Sequence, residues 1–176
     1  RLVKAGLKLK PSKCRLLQRQ VGFLGHIISE EGIATDPTKT NAIAHWPTPT
    51  NVHEVRGFLG LCSYYRRFVD HYAEKSAGLT SLLRKNVRFR WTDECQESFD
   101  QLRRALTSPP ILAMPREPPE VPDGREGMYI LDTDASDVSV GCVLSQVQDG
   151  VEKVIAYAAR VLQPAQRNYC ITRREL

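Results

Sequence analysis

Apolar and polar positions change period several times along the chain. Leu7, Leu9, Pro11 and Cys14 alternate with Lys8, Lys10 and Lys13, a pattern that predicts half-buried extended chain. Residues 21–29 read as strand, glycine-containing bend, strand, and Ser29-Glu30-Glu31-Gly32 reads as a turn. From residue 33 to residue 90 the spacing becomes helical. Asp36 before Pro37 is a cap followed by proline at the first helical position; Ile43 and Trp46 sit three apart, and Pro47 ends the helix. Beyond Pro49, either Thr50 or Asn51 can cap a second helix. Its Val52, Val55, Leu59, Cys62 and Tyr65 form one buried stripe, with Arg56 and Arg67 off it. A third helix is predicted over 73–84, burying Leu79, Leu82 and Leu83. A fourth follows Trp91, with Thr92 as cap, Asp93 and Glu94 in the first turn where the helix dipole favours acids, and Phe99, Leu102 and Leu106 buried. Residues 109–127 carry Pro109, Pro110, Pro115, Pro118, Pro119 and Pro122 among charged residues, the composition of a semi-rigid spacer. Three apolar runs, 128–131, 140–144 and 154–158, then read as strands, and residues 172–176 as the opening of a helix.

The pattern implies an α+β fold in pieces: a small strand pair over 1–32, a helical bundle over 33–90, a connecting helix over 91–108, a linker over 109–127, and over 128–176 a half-domain with a three-stranded antiparallel sheet. An apolar fraction of 41% suffices for a core, and the absence of any run of 18 apolar residues excludes a membrane-spanning helix. Five cysteines, odd in number and far apart, have no zinc spacing and read as ordinary core thiols of an intracellular protein. The net charge of +5 divides unevenly, +10 over residues 1–90 and −5 over residues 91–176. That split suggests a polyanion-binding surface beside a metal-binding one.

The acids that matter lie in Asp132-Thr133-Asp134-Ala135-Ser136-Asp137, at the end of the first strand of the half-domain. Phosphodiester hydrolysis at neutral pH is served by two Mg²⁺ ions about 3.5–4 Å apart, and hard cations take carboxylate oxygens without need of Cys or His. Asp132 and Asp137 read as flank and turn residues, and Asp134 lies near the end of the strand. Thr172-Arg173-Arg174-Glu175 fits a capping box, which by itself gives Glu175 a structural role. His26 reads as a surface or core histidine.

Several strings carry a family resemblance. Asp-Ala-Ser-Asp at 134–137, Gly-Cys-Val-Leu-Ser-Gln at 141–146, Ile-Ala-Tyr-Ala-Ala-Arg-Val-Leu at 155–162, Gln-Arg-Asn-Tyr at 166–169 and Thr-Arg-Arg-Glu-Leu at 172–176 resemble, in that order, the start of the ribonuclease H domain of gypsy-type retrotransposon reverse transcriptases. The resemblance implies that Asp134 and Glu175 bind catalytic Mg²⁺, or Mn²⁺ in its place. Upstream, Gly-Leu-Lys-Leu-Lys-Pro-Ser-Lys-Cys and Val-Gly-Phe-Leu-Gly-His resemble the palm end and primer grip, with Phe23, Leu24 and Gly25 near the hairpin tip. Phe-Leu-Gly-Leu-Cys-Ser-Tyr-Tyr-Arg-Arg-Phe at 58–68 resembles the thumb, which holds an RNA–DNA hybrid or primer–template duplex. Arg56, Tyr64, Arg66 and Arg67 are its candidate contacts, while Tyr65 and Phe68 read as core. Trp-Thr-Asp-Glu-Cys-Gln-Glu-Ser-Phe-Asp-Gln-Leu at 91–102 resembles the segment before the ribonuclease H domain. The linker is longer than the family pattern.

The parent would copy RNA into DNA and degrade RNA in the hybrid. No Tyr-x-Asp-Asp is present and the family's later acids follow the first helix, so this chain alone is expected to be inactive and to pair with a second copy through residues 128–176. A host-captured, non-catalytic binding or interaction module is the alternative, and an unrelated scaffold a third.

Overall fold

The computed structural model describes residue 1, residues 3–119 and residues 124–170. The first sheet is a meander of β1 (Gln20–Phe23), β2 (His26–Ser29) and β3 (Gly32–Thr35), antiparallel throughout. The expected strand pair therefore has a third member. Gly32 makes it: at φ 137° it reverses the chain where a side chain would be strained, and Ile33 and Ala34 then pair back onto β2. Leu24 and Gly25, at φ 47° and 70°, close β1 onto β2 as a two-residue turn. The alternating stretch before β1 is exposed, not half-buried; it holds only a 3-10 turn at Pro11–Lys13, with no strand beside it among the described residues to use its alternation.

The helices begin where capping chemistry places them. Asp36 Oδ1 accepts the Thr38 N–H at 2.9 Å to start α1 (Pro37–Ala44). Asn51, not Thr50, caps α2 (Val52–Tyr64), accepting the Glu54 N–H at 3.0 Å; Glu54 in turn accepts the Thr50 N–H at 2.7 Å, a reciprocal box that holds its carboxyl below the usual range. The third expected helix is two short ones, α3 (Tyr72–Lys75) and α4 (Ala77–Ser81). Between them the buried Ser76 hydroxyl donates to the Ala73 carbonyl, a local bond that competes with helix continuation. In α4 a Cβ on Gly78 would lie 2.7 Å from the Glu94 carbonyl oxygen, so glycine permits close packing on α5 (Asp93–Thr107). Thr92 caps α5 as expected.

The second sheet runs β4 (Tyr129–Ala135), β5 (Ser139–Gln148), β6 (Val151–Val161), again antiparallel. Asp132 and Asp134 lie toward the end of β4, as expected, but among the described residues β4 is an edge strand rather than a central one, with β5 in the centre. The expected strands are longer than the apolar runs because β5 and β6 close through Asp149-Gly150, both with positive φ. The expected helix over 172–176, and Glu175 with it, lie outside the described residues.

One core joins helices and sheets. Ile43, Phe58, Tyr65, Phe99, Leu102 and Leu112 are buried together, with Val154 and Tyr157 of β6 packed against them. Within the expected linker, Leu112 and Ala113 are buried, while residues 114–116 are exposed but tethered to the second sheet. Leu112 is 1% exposed, and the buried Gln146 side chain holds the Arg116 N–H and carbonyl at 2.9 Å each. Cys62 and Cys95 are buried, and burial pushes the Cys62 thiol up to about 12; Cys14 and Cys170 are exposed, so the expectation of five core thiols is corrected. No described helix is long and apolar enough to cross a membrane.

Candidate nucleic-acid interface and carboxylate site

The β1–β2 turn is built onto the end of α2. Tyr64 donates its hydroxyl to the Leu24 carbonyl, and Tyr65 donates to the Gly25 carbonyl at 2.7 Å. His26 Nδ1 meets the same Leu24 carbonyl at 2.9 Å, and its ring lies 5.4–5.7 Å from those of Tyr64, Tyr65 and Phe68. Burial, then the nearby Asp36 carboxylate, raises the Tyr65 phenol above its ordinary value, which keeps it a donor. Phe23 and Leu24, thus oriented, remain 60% and 70% exposed. The structure brings Leu24, Gly25 and Tyr64, three of the expected contacts, together. It also gives Tyr65 and His26 a part in shaping the turn. Hydrogen bonds spanning 40 residues leave no periodic signal in the sequence.

Helix α2 divides by exposure. Val55, Phe58, Leu59 and Cys62 are buried, whereas Arg56, Gly60, Ser63 and Tyr64 are exposed along the opposite side. A Cβ at Gly60 would meet nothing, so this side is flat between Arg56 and Tyr64 and lets a partner approach the helix backbone. The signal for Gly60 and Ser63 was present in the helical spacing from Arg56. Arg66 and Arg67 follow in a single 3-10 turn (Arg66–Phe68), both exposed while Phe68 is buried.

Seven residues beyond Tyr64 the same run of chain reaches the acidic element. Asp70 and His71 lie over the face of the second sheet, and a Cβ on Gly141 would stand 3.2 Å from His71 Nδ1. Gly141 is the register partner of Asp134, and Val143 that of Asp132. Side chains of paired residues share a face, so Asp132, Asp134, Val143 and Tyr157 line one small cavity of about 90 Å³ under Asp70 and His71. A wider groove of about 770 Å³ shares Asp70 and Tyr157 with it and runs past Lys75, Gln101 and Arg104. Burial, with the Asp70 charge adding to it, raises the Tyr157 phenol. Among the described residues Asp132 and Asp134 are exposed and have no hydrogen-bond or ion-pair partner. Free carboxylates suit a hard cation in kind. The described residues alone do not gather three ligand groups at one point, and Glu175 lies outside them.

The chain superimposes on a foamy viral protease-reverse transcriptase, dRH, in complex with ds DNA, with a TM-score of 0.79, 24% identity, and coverage of 99% of this chain and 30% of that one. A foamy viral protease-reverse transcriptase in complex with RNA/DNA hybrid gives a TM-score of 0.73 at 23% identity, over 93% of this chain and 21% of that one. The model of the RNase H-like domain found in reverse transcriptase matches residues 91–176. The retrovirus-related Pol polyprotein from transposon 412 of Drosophila melanogaster is 38% identical over 97% of this chain, and a Tf2-3 transposon polyprotein of Schizosaccharomyces pombe is 33% identical over all of it. The chain belongs to the Pol polyproteins of retroviruses and LTR retrotransposons and carries their RNase H-like domain. It spans 13% of the length of each of these two polyproteins.

Proposed function

We propose that this chain is the duplex-holding and RNA-cleaving part of a gypsy-type retroelement reverse transcriptase. The observation that carries the reading is continuity. Tyr64 contacts the Leu24-Gly25 turn, Arg66 and Arg67 follow, and His71 borders the Asp134 cavity, all within one stretch of eight residues. A duplex lying on Phe23, Leu24, Gly25, Arg56, Tyr64, Arg66 and Arg67 would have its RNA strand led toward Asp134. Asp134 and Glu175 would hold Mg²⁺ or Mn²⁺, which supplies a hydroxide nucleophile and neutralises charge at the phosphorus. The DNA-synthesising activity belongs to the longer polypeptide, and we expect neither activity from this chain by itself. The captured-module alternative has no observation in its favour.

An RNA–DNA hybrid titrated across a salt series tests the grip. Affinity should fall about 40-fold between 50 and 200 mM salt if Arg56, Arg66 and Arg67 each reach a phosphate, and Arg66→Ala with Arg67→Ala should flatten the slope by about two. Salt-independent binding, or none at 50 mM, would sink the reading. A second copy of the chain is a further proposed partner. Leu131, 61% exposed, pairs in register with Leu144 and Ala156 on the sheet face turned away from the Asp134 cavity. Sedimentation should give a concentration-dependent mass; a constant monomer mass rejects this partner.

A further inference from the structure

The two sheets meet at a seam one residue wide. Ile33 of β3 donates its N–H to the Leu112 carbonyl at 2.7 Å, and Leu112 donates back to the Ile33 carbonyl at 2.9 Å. The next residue, Ala113, donates its N–H to the Val154 carbonyl of β6 at 2.8 Å. Consecutive residues thus bond one to each sheet, and both are buried. Gly32 closes the seam: a Cβ there would overlap the Leu112 carbonyl oxygen, and φ 137° disfavours any side chain. Beyond β6, Gln146 and Gln148 fasten the continuing strand at Arg116 and Met114.

These bonds connect elements with different proposed tasks. From β3 the meander leads through β2 to the Leu24-Gly25 turn; from β6 the sheet leads through β5 to Asp134. We infer that the Gly32–Leu112–Ala113 seam sets the spacing between the turn that holds a duplex end and the carboxylate that cuts its RNA strand, making Gly32, Leu112 and Ala113 positioning residues for the site of cleavage. The inference rests on the proposed function.

The test uses the longer polypeptide containing this chain, on an RNA–DNA hybrid with a recessed primer end and labelled RNA. The wild type should cut at one dominant distance from the primer end. Gly32→Ala should spread the cuts over neighbouring nucleotides, while total cleavage and primer extension stay within about threefold. Gly57→Ala, whose Cβ would meet only Trp46 Cζ2 at 3.8 Å, should leave the pattern sharp. Ala113→Pro, which removes the donor to Val154 and also fixes φ and adds a ring at this buried position, gives the same reading should Gly32→Ala fail to fold. An unchanged cut distribution in both variants overturns the inference.

Hydrogen exchange separates this outcome from failure of the functional reading. In Gly32→Ala, amides of β6 near Val154 should exchange at least tenfold faster than in the wild type, whatever the protein cleaves. If β6 exchange does not change, the seam does not couple the sheets and the inference falls, even where binding and cleavage are as proposed. A wild type that neither binds nor cuts hybrid sinks the function and with it the positioning claim.

Discussion

Asp134→Asn in the longer polypeptide should lower hydrolysis of RNA in a hybrid by more than about 10²-fold while leaving DNA synthesis and hybrid affinity within a few-fold. Changes to groups that merely orient metal ligands cost roughly 10–100-fold, and loss of a ligand's own charge should cost at least that. Asparagine retains the shape of the side chain, so the strand pairing of Asp134 with Gly141 survives the change. The informative comparison is Asp132→Asn. Both acids point to the same face of β4, two residues apart, and both line the same cavity. Their surroundings differ: Val143 stands across from Asp132, whereas the residue across from Asp134 has no side chain. Glycine there admits the His71 ring, whose Nδ1 would stand 3.2 Å from a Cβ on Gly141, so an imidazole borders Asp134 where a valine borders Asp132. With Asp134 as the ligand, Asp132→Asn should retain cleavage within about fivefold. The reverse ranking, with Asp132→Asn the inactive protein, would move the ligand along β4 and remove the assignment of Asp134.

How far the residues alone revealed this arrangement depends on the range of the interactions involved. Local signals were readable. Asp36-Pro37 and Thr92 gave helix starts that the capping bonds confirm, and Val55, Leu59, Cys62 and Tyr65 lie buried as their spacing implies. Phe58 was left off that stripe although it stands three residues from Val55 and four before Cys62, so periodicity could have found it. The division of the third helix at Ser76 was less legible, because the same hydroxyl bond to a preceding carbonyl also occurs within helices. The third strand β3 pairs with its near neighbour β2, and the turn read over residues 29–32 could have found it. The seam at Leu112 and the hydroxyl bonds from Tyr64 and Tyr65 were not legible, because each is decided by a partner tens of residues away. The proline-rich composition of residues 109–127 misled for the same reason: proline forbids helix, but it does not forbid an extended strand from docking through its neighbours. At the site, the pattern placed a group of acids at a strand end, and the family resemblance singled out Asp134 among them. Only the register with Gly141 and the approach of His71 supplied a physical ground for separating it from Asp132.

Phe58→Ala should destabilise the isolated chain by about 3–5 kcal/mol, the ordinary cost of truncating a fully buried aromatic ring. Phe58 is fully buried, its ring 4.6 Å from that of Phe99 on α5 and 5.9 Å from that of Trp46 beyond α1. It therefore holds three elements at one point, and the cavity left by alanine would be walled by rings that cannot collapse without moving a helix. A midpoint drop of about 10 °C in thermal unfolding is the corresponding scale for a chain of this length. Tyr64→Ala provides the contrast from the same helix: half exposed, it loses one hydrogen bond to the Leu24 carbonyl and should cost about 1 kcal/mol. The pair also divides fold from function. Phe58→Ala should bind hybrid at low temperature with affinity close to wild type, because its side chain faces away from the exposed side of α2, whereas Tyr64→Ala should stay folded and bind more weakly. Equal losses of binding in the two variants, measured where both are folded, would mean that the exposed face of α2 has no separate role and that the duplex contacts lie elsewhere.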